Sequence, residues 1–370
     1  MRTFFCQSLW KLNLLGGAMD TVTLEIDGKR VTISKAVTVL QVAKAAGISI
    51  PHLCYRDDLK PTGACRICLV EVEGARTLVP SCSLPVSEGM VVRTNTPRVL
   101  GARKMVVELL LSDHPYDCMT CEKSGSCKLE KYAYQLGVKS SRFKGEQHHY
   151  PIDISNPFIE RDYNKCILCG RCVAACNEVQ GWNAIDFIGR GFATRVGTAY
   201  DRGLRDSPCV FCGQCVQSCP VGALTEKKAL GMGRVWEMEK VRTTCPYCGV
   251  GCQMWLHIKD GRISKVTAVE DGAPNQGRLC VKGRFGYDFI YSDERLKTPL
   301  IRENDQFREA SWDEALNLVV AKFKEIIAEH GPDAIGGVSC SRSINEDSYQ
   351  MQKMFRAVIG TNNIDNCARA

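Results

Sequence analysis

The sequence predicts an α+β chain assembled from several small modules, and three observations carry that prediction. Nineteen of the 22 cysteines fall into five regularly spaced sets. Strand-type alternation and helix-type periodicity replace one another every few tens of residues. One spaced run, C-x2-C-x2-C-x3-C, occurs twice. At 370 residues, length alone suggests roughly two or three domains. A bound metal can staple a core too small to hold by itself, so more and smaller units are expected.

Bulk composition is ordinary for a soluble protein, 45% apolar and 24% charged. No apolar run reaches the roughly 18 residues of a membrane span, and the densest, Met105 to Leu111, is interrupted by Glu108. No membrane insertion is therefore expected. Disulfide scaffolds belong to short secreted chains, whereas C-x2-C repeats at this size favour metal in a reducing compartment, which predicts a cytoplasmic address. The formal charge of +7 is spread along the chain, and thiolate-held clusters would offset it, so no nucleic-acid partner is expected. Residues 1–18 (MRTFFCQSLWKLNLLGGA) are apolar but broken by Lys11 and Asn13. They read as an upstream extension or a misplaced start before the strand pattern that opens at Met19, and Cys6 within them has no expected role.

Residues 19–97 form the first module. VTLEI, an Asp27-Gly28 turn and RVTI read as a hairpin. Thr38-x-x-Gln41 is a capping box for a short helix ending at Gly47, and LVEVEG, RTLVP and MVVRT are further strands. Hairpin, helix and more strands make a β-grasp pattern. Its Cys54, Cys65, Cys68 and Cys82 have C-x10-C-x2-C-x13-C spacing, which departs from the plant-type ferredoxin run. The module resembles instead the [2Fe–2S] domain that opens the large subunit of complex I and the iron-only hydrogenases. Zinc is the ordinary alternative for four cysteines; the β-grasp setting favours the cluster.

Residues 98–138 begin with a helix, Pro97 to Ser112, with an expected apolar face of Val99, Ala102, Val106, Leu109 and Leu110. It leads to His114, Cys118, Cys121 and Cys127, which resemble the His-and-three-Cys [4Fe–4S] motif that follows the β-grasp domain in the same families. An imidazole ligand replaces an anionic thiolate, so this cluster should favour its reduced state.

Residues 157–232 hold the internal repeat, Cys166, Cys169, Cys172 and Cys176 against Cys209, Cys212, Cys215 and Cys219. It resembles the bacterial two-cluster ferredoxins, whose fourth cysteine ligates the other run's cluster. That resemblance assigns Cys166, Cys169, Cys172 and Cys219 to one [4Fe–4S] and Cys209, Cys212, Cys215 and Cys176 to the other. Cys219 is followed by the usual proline; Cys176 is followed by Asn177.

Residues 238–294 carry Cys245, Cys248, Cys252 and Cys280 in C-x2-C-x3-C-x27-C spacing, with Gly249 and Gly251 suited to a tightly wrapped loop. With RLCVKGRFGYDFIYSDERLKTPLIR they resemble the [4Fe–4S] domain of the molybdenum- or tungsten-pterin oxidoreductases, and among these the formate dehydrogenases. The resemblance implies that Lys282 lies on the electron path between cluster and pterin.

Residues 295–370 open an α/β domain. Ser311-x-x-Glu314 is a capping box for a helix with apolar Ala315, Leu318, Val319, Phe323, Ile326 and Ile327 on one face, ended by Gly331-Pro332. Ala334 to Ser339 reads as a buried strand, Asn345 to Ile359 as a helix, and Cys340 as a core residue. In formate dehydrogenases NN-x-D-x-CAR precedes, by one residue, the selenocysteine or cysteine that ligates the metal. NNIDNCARA would place that ligand just beyond Ala370, so a UGA codon read as stop is the expectation, with a generic truncation as the alternative, and this product alone should be inactive toward formate.

The resemblance thus implies a formate dehydrogenase (CO2 reductase) catalytic subunit with one [2Fe–2S], four [4Fe–4S] and, in the full enzyme, a Mo- or W-bis(pterin guanine dinucleotide). It implies a flavin- and NAD(P)-reducing iron–sulfur subunit or a hydrogenase as partner; the chain itself has no G-x-G-x-x-G or Walker A run. Three alternatives stand beside it. Complex I large subunits lack the twin run at 166–219, and iron-only hydrogenases lack CPYCGVGC. The third is an electron-transfer module without catalysis.

Overall fold

The computed structural model describes residues 21–367, which divide into two units, one ending at Glu237 and the other starting at Met238. Cys6 and the rest of residues 1–18, and Ala370, lie outside the described residues.

The first unit opens with β1 (Thr21–Ile26) and β2 (Lys29–Ser34), paired antiparallel. Asp27 and Gly28 between them have φ of 47° and 80°, the left-handed pair that a tight two-residue hairpin requires. The Asp27 carboxylate accepts from Thr94 N at 2.7 Å and Thr94 Oγ1 at 2.5 Å. The helix α1 (Val39–Ala45) has the predicted capping box, with Thr38 N donating to Gln41 Oε1 at 2.9 Å. Strands β3 (Leu69–Val72), β4 (Val79–Pro80) and β5 (Val91–Arg93) complete a sheet of order β2-β1-β5-β3-β4, with β1 and β5 parallel. Its core joins Leu24 and Ile26 to Val39, Val42, Val70 and Val92. Each such side chain contributes about 1.5–3 kcal/mol on burial. A hairpin, a helix and three further strands follow in the order the sequence pattern led one to expect.

Helix α2 (Pro97–Ser112) spans the predicted residues but buries a different face. Val99, Arg103, Val107, Glu108 and Leu111 are inside, whereas Leu109 is 50% exposed. The stripe turns because two charged side chains find partners. Arg103 Nη2 donates to Leu69 O at 2.8 Å, and Glu108 pairs with Arg142 at 2.8 Å. Helix α3 (Lys128–Gln135) follows.

The repeat region contains β6 (Ile159–Arg161), α4 (Arg171–Ala174), β7 (Asp186–Ile188), β8 (Arg195–Gly197), α5 (Gln214–Ser218) and β9 (Leu224–Glu226). β6 and β9 pair antiparallel, Ile159 opposite Glu226 and Arg161 opposite Leu224. Helices of four or five residues are too short to persist by propensity, so what packs around α4 and α5 must hold them.

The second unit contains an antiparallel sheet of β10 (Glu239–Thr244), β11 (Gln253–Lys259) and β12 (Arg262–Ala268), followed by α6 (Val281–Phe285). A hairpin that the pattern did not predict, β13 (Leu300–Glu303) and β14 (Gln306–Glu309), turns through left-handed Asn304 and Asp305. In α7 (Trp312–His330) the Ser311 hydroxyl accepts from Glu314 N at 3.1 Å. The Glu314 carboxylate binds Arg308 instead of returning to Ser311, so half of the expected capping box forms. No residue of α7 is buried, and its predicted inner face meets no core among the described residues.

The strand expected over 334–339 shortens to β15 (Gly337–Ser339), with Val338 74% exposed. Helix α8 (Asn345–Lys353) continues as a wider turn to Ile359, and β16 (Ile364–Asn366) pairs parallel with β15. Two strands cannot cover a core face. Cys340, expected inside, is accordingly exposed, and the Cys367 thiol donates to its sulfur at 3.7 Å. No helix among the described residues is long and apolar enough to cross a membrane.

Candidate cluster-binding sites

Four thiols meet in the loops of the five-stranded sheet. Cys54, Cys65, Cys68 and Cys82 are all buried, and Cys54 N donates to Cys65 Sγ at 3.4 Å. A hydrogen bond from Cys82 holds the Cys68 thiol down at about 6, and bonds from Cys65 and Cys82 push Cys54 down too. The same contacts drive Cys65 and Cys82 up, so without a cation the four share protons instead of all ionising. Iron held by Cys54, Cys65, Cys68 and Cys82 would supply the missing positive charge, and the donor set fits it. Left-handed Arg66 (φ 57°) bends the short link between Cys65 and Cys68.

The next set hangs between α2 and α3. His114 is buried, with Nδ1 2.9 Å from Pro115 O, and Nε2 is buried without a hydrogen-bond partner. Burial lowers its pKa, so the ring is neutral, and a proton on Nδ1 leaves the Nε2 lone pair free for a metal. That orphaned nitrogen is the observation that fits a cluster here. Cys121 is buried and Cys118 exposed, while half-buried Cys127 caps α3, its sulfur accepting from Glu130 N at 3.5 Å. Burial pushes Cys127 up to about 11. A Cβ on Gly222 would lie 2.6 Å from Cys121 Sγ, so this module and the repeat region touch through a residue that has to be glycine.

The repeat is structural as well as sequential. Leu168 (φ 51°) with Gly170 (φ 74°), and Phe211 (φ 56°) with Gly213 (φ 71°), put left-handed residues at matching places in the two runs. One apolar cavity is lined by Cys166, Cys169, Cys172 and Cys219, and also by Cys215. A second is lined by Cys209, Cys212, Cys215 and Cys176. The fourth cysteine of each run thus faces the other run's space. Burial raises Cys166 to about 11 and Cys169 to about 12 and pushes Cys172 and Cys215 up as well, and the charges of neighbouring thiolates add to the rise. Thiols so placed resist ionising unless a cationic core replaces their protons. N–H groups already point at sulfur, as Phe211 N does to Cys209 at 3.4 Å and Ala184 N to Cys176 at 3.3 Å.

Three modules join around the Cys54 set. Tyr132 on α3 accepts from His52 N at 3.1 Å, and Lys128 N donates to Pro220 O at 2.9 Å. Arg56 Nη1 donates to the Ser218 hydroxyl at 2.5 Å, one residue before Cys219.

In the second unit Cys245 follows β10, and Cys252 precedes β11, with Cys245 N donating to Cys252 O at 2.8 Å to close the loop. Gly251 turns it with φ of 65°. Cys245 is buried, Cys248 and Cys252 are half-buried, and Cys280 at the start of α6 is exposed. Each of Cys245 and Cys252 is pushed up by burial and by the charges of Cys248 and Cys280, so the four lie within reach of one another. Gly283 leaves 3.4 Å between a notional Cβ and Cys245 Sγ. Lys282 is exposed on α6.

Among the described residues no group of three or more His, Cys, Asp or Glu side chains is placed around a single ion. Zinc draws its thiolates to about 2.3 Å from one centre. The two sets of the repeat surround a space, which suits a multi-iron core better. Sequence reasoning missed the residues between the sets, chiefly Arg171, Gly222 and Arg56. Comparison of the two runs position by position would have flagged Arg171, which corresponds to Gln214.

The fold and its thiol sets define a protein built to hold several iron–sulfur clusters. Five family models match in succession: a 2Fe-2S iron-sulfur cluster binding domain over 19–97, the NADH-ubiquinone oxidoreductase-G iron-sulfur binding region over 103–142, and the NADH-quinone oxidoreductase subunit 3 ferredoxin-like domain over 156–225. The molybdopterin oxidoreductase Fe4S4 domain matches 238–292 and the molybdopterin oxidoreductase model 295–370. The NADPH-Fe(3+) oxidoreductase subunit alpha of Geobacter sulfurreducens is 40% identical over 94% of this chain and 40% of its own length. The G 2 polypeptide of the NADH-quinone oxidoreductase of Rhizobium meliloti is 39% identical, again over 94% and 40%. A "Putative formate dehydrogenase" of Staphylococcus aureus is 34% identical over 95% of this chain and 39% of its own. The crystal structure of an NAD+-reducing [NiFe]-hydrogenase in the H2-reduced state matches with a TM-score of 0.52 and 34% identity, covering 58% of this chain and 91% of that one. Module by module, the chain is similar to the iron–sulfur regions of the NADH-quinone oxidoreductase G and molybdopterin oxidoreductase families. It spans about two-fifths of the length of the curated relatives it matches.

Proposed function

We propose that this chain is the electron relay of a cytoplasmic formate dehydrogenase-type oxidoreductase. The proposed reaction of the whole protein is formate = CO2 + H+ + two electrons, with the electrons leaving singly through one [2Fe–2S] and four [4Fe–4S] clusters. A molybdenum or tungsten centre on two pterin guanine dinucleotides would supply the two-electron chemistry when bound. The chain's own residues do the rest. Cys245, Cys248, Cys252 and Cys280 would receive electrons past Lys282. The two crossed sets of the repeat, His114 with Cys118, Cys121 and Cys127, and Cys54 with its partners would pass them to a flavin- and NAD(P)-reducing subunit or a hydrogenase.

The observation that carries the relay is the pair of apolar cavities with exchanged fourth cysteines, in one unit with the Cys54 and His114 sets. The formate assignment is supported by the CPYCGVGC and NNIDNCAR segments and the Staphylococcus relative. A second reading, relay for NAD(P)H oxidation, is favoured by the higher identity to the Geobacter and Rhizobium proteins.

Anaerobic purification of the whole protein tests both. The sites of this chain should account for about 18 iron atoms with matching sulfide. Formate added without any nucleotide should bleach the cluster absorbance. Bleaching by NAD(P)H alone would select the second reading, and a colourless, iron-free protein would end both.

A further inference from the structure

The two runs of the repeat differ by one charge at one buried place. Each has C-x-x-C-Gly followed by the residue that opens its short helix, Arg171 in α4 and Gln214 in α5. Both side chains are buried, 7% and 4% exposed. Arg171 Nη1 donates to Leu53 O at 3.4 Å, and its Nε is buried with no hydrogen-bond partner. Leu53 is the residue before Cys54. Asp58 lies near enough to influence Arg171, but Arg56 already holds it through Nε and Nη2, both at 2.7 Å. No carboxylate among the described residues forms an ion pair with Arg171.

A guanidinium stays protonated in proteins, and a buried charge without a counter-ion is strongly destabilising. Burial works against this one, and the thiolates of Cys169 and Cys219 work for it. Both of those sulfurs line the same cavity. A [4Fe–4S] core with four thiolates is anionic and gains a further negative charge on reduction.

We propose that Arg171 is the fixed counter-charge of the cluster held by Cys166, Cys169, Cys172 and Cys219, and that it sets this cluster's reduction potential above that of its sister, where Gln214 stands. The proposal rests on reading both sets as [4Fe–4S] sites. Arg171 ligates nothing and acts through the field it places at the cluster. Its guanidinium also donates to the carbonyl before Cys54, so the cluster it favours would be the one on the side of the repeat nearer the Cys54 set.

The test is a redox titration followed by EPR on the full chain with its clusters, after iron and sulfide analysis. R171Q should lower one of the two ferredoxin-type potentials by at least tenfold in the reduction equilibrium, about 59 mV for one electron, and bring the pair together. R171K, which keeps the charge, should restore most of the gap. If R171Q cannot hold its cluster, Q214R decides, since a new charge there must raise the sister potential. A loaded chain in which R171Q moves neither potential, in which R171K and R171Q shift it equally, or in which Q214R leaves the sister unmoved, overturns the proposal alone. An iron-free wild-type chain overturns the cluster reading and this proposal with it.

Discussion

If His114 ligates a cluster as proposed, replacing it by cysteine exchanges a neutral ligand for an anionic one at a site whose geometry is otherwise set. The Nδ1 contact with Pro115 O at 2.9 Å and the orphaned Nε2 place a lone pair where a thiolate would follow. The added charge opposes the electron that reduces the cluster. Two unit charges about 4 Å apart interact by about 4 kcal/mol at an effective dielectric of about 20. A tenfold change in a one-electron equilibrium, about 1.4 kcal/mol, is about 59 mV. The ceiling is therefore near a thousandfold, about 180 mV, and exposed Cys118 admits water that lowers it. A drop of about 60–180 mV in one potential is expected for H114C, read by EPR-monitored titration. Pulsed EPR should show nitrogen coupling in the wild type and none in H114C. An unmoved potential, or nitrogen coupling that survives, would refute ligation by His114.

Three further outcomes follow from the geometry. If the fourth cysteines are exchanged, C166A/C219A should remove one cluster, about four irons, and C166A/C176A two, about eight; the reverse pattern, or equal losses, would contradict the exchange. G222A pushes a methyl to 2.6 Å from Cys121 Sγ, an overpacking that costs about 1–3 kcal/mol, and should release the His114 cluster before the others on dilution into chelator. His257, buried on β11, has its pKa lowered to about 3 by burial and by Lys265 and Lys240. The unfolded ring binds its proton near 6.5 while the folded one refuses it, so stability is full above pH 6.5 and falls as pH drops toward 3. Thermal melts of the wild type should lose several kcal/mol over that window, and H257Q should lose less. Parallel curves would remove His257 as the cause.

The parts of the fold legible in the sequence were those fixed by local chemistry. Asp27-Gly28 can satisfy its turn only with left-handed backbone, and Thr38 with Gln41 caps its helix within four residues. Cysteine spacing belongs to the same class, because a loop of two residues fixes how far apart two sulfurs can sit. What was not legible depended on partners distant in the chain. Periodicity put Leu109 inside α2, but the carbonyl of Leu69 and the guanidinium of Arg142 drew Arg103 and Glu108 inward. The strand near 337 was read as buried from its residues alone, and with β16 as its one neighbour it is not.

Arg171 shows why the distinction matters for function. Within its own run it is the single arginine and caps nothing, and spacing alone gives it no partner. Only the fold brings it beneath Leu53, 118 residues earlier, and beside Cys219, which the other run contributes. Ligand spacing can be read from the chain, but the charges that order the potentials of neighbouring clusters are placed by tertiary structure. Two relays with identical cysteine patterns can therefore send electrons in opposite directions. If Arg171 sets the potential of its cluster as proposed, the residues between the cysteines would decide the direction of transfer more than the cysteines themselves.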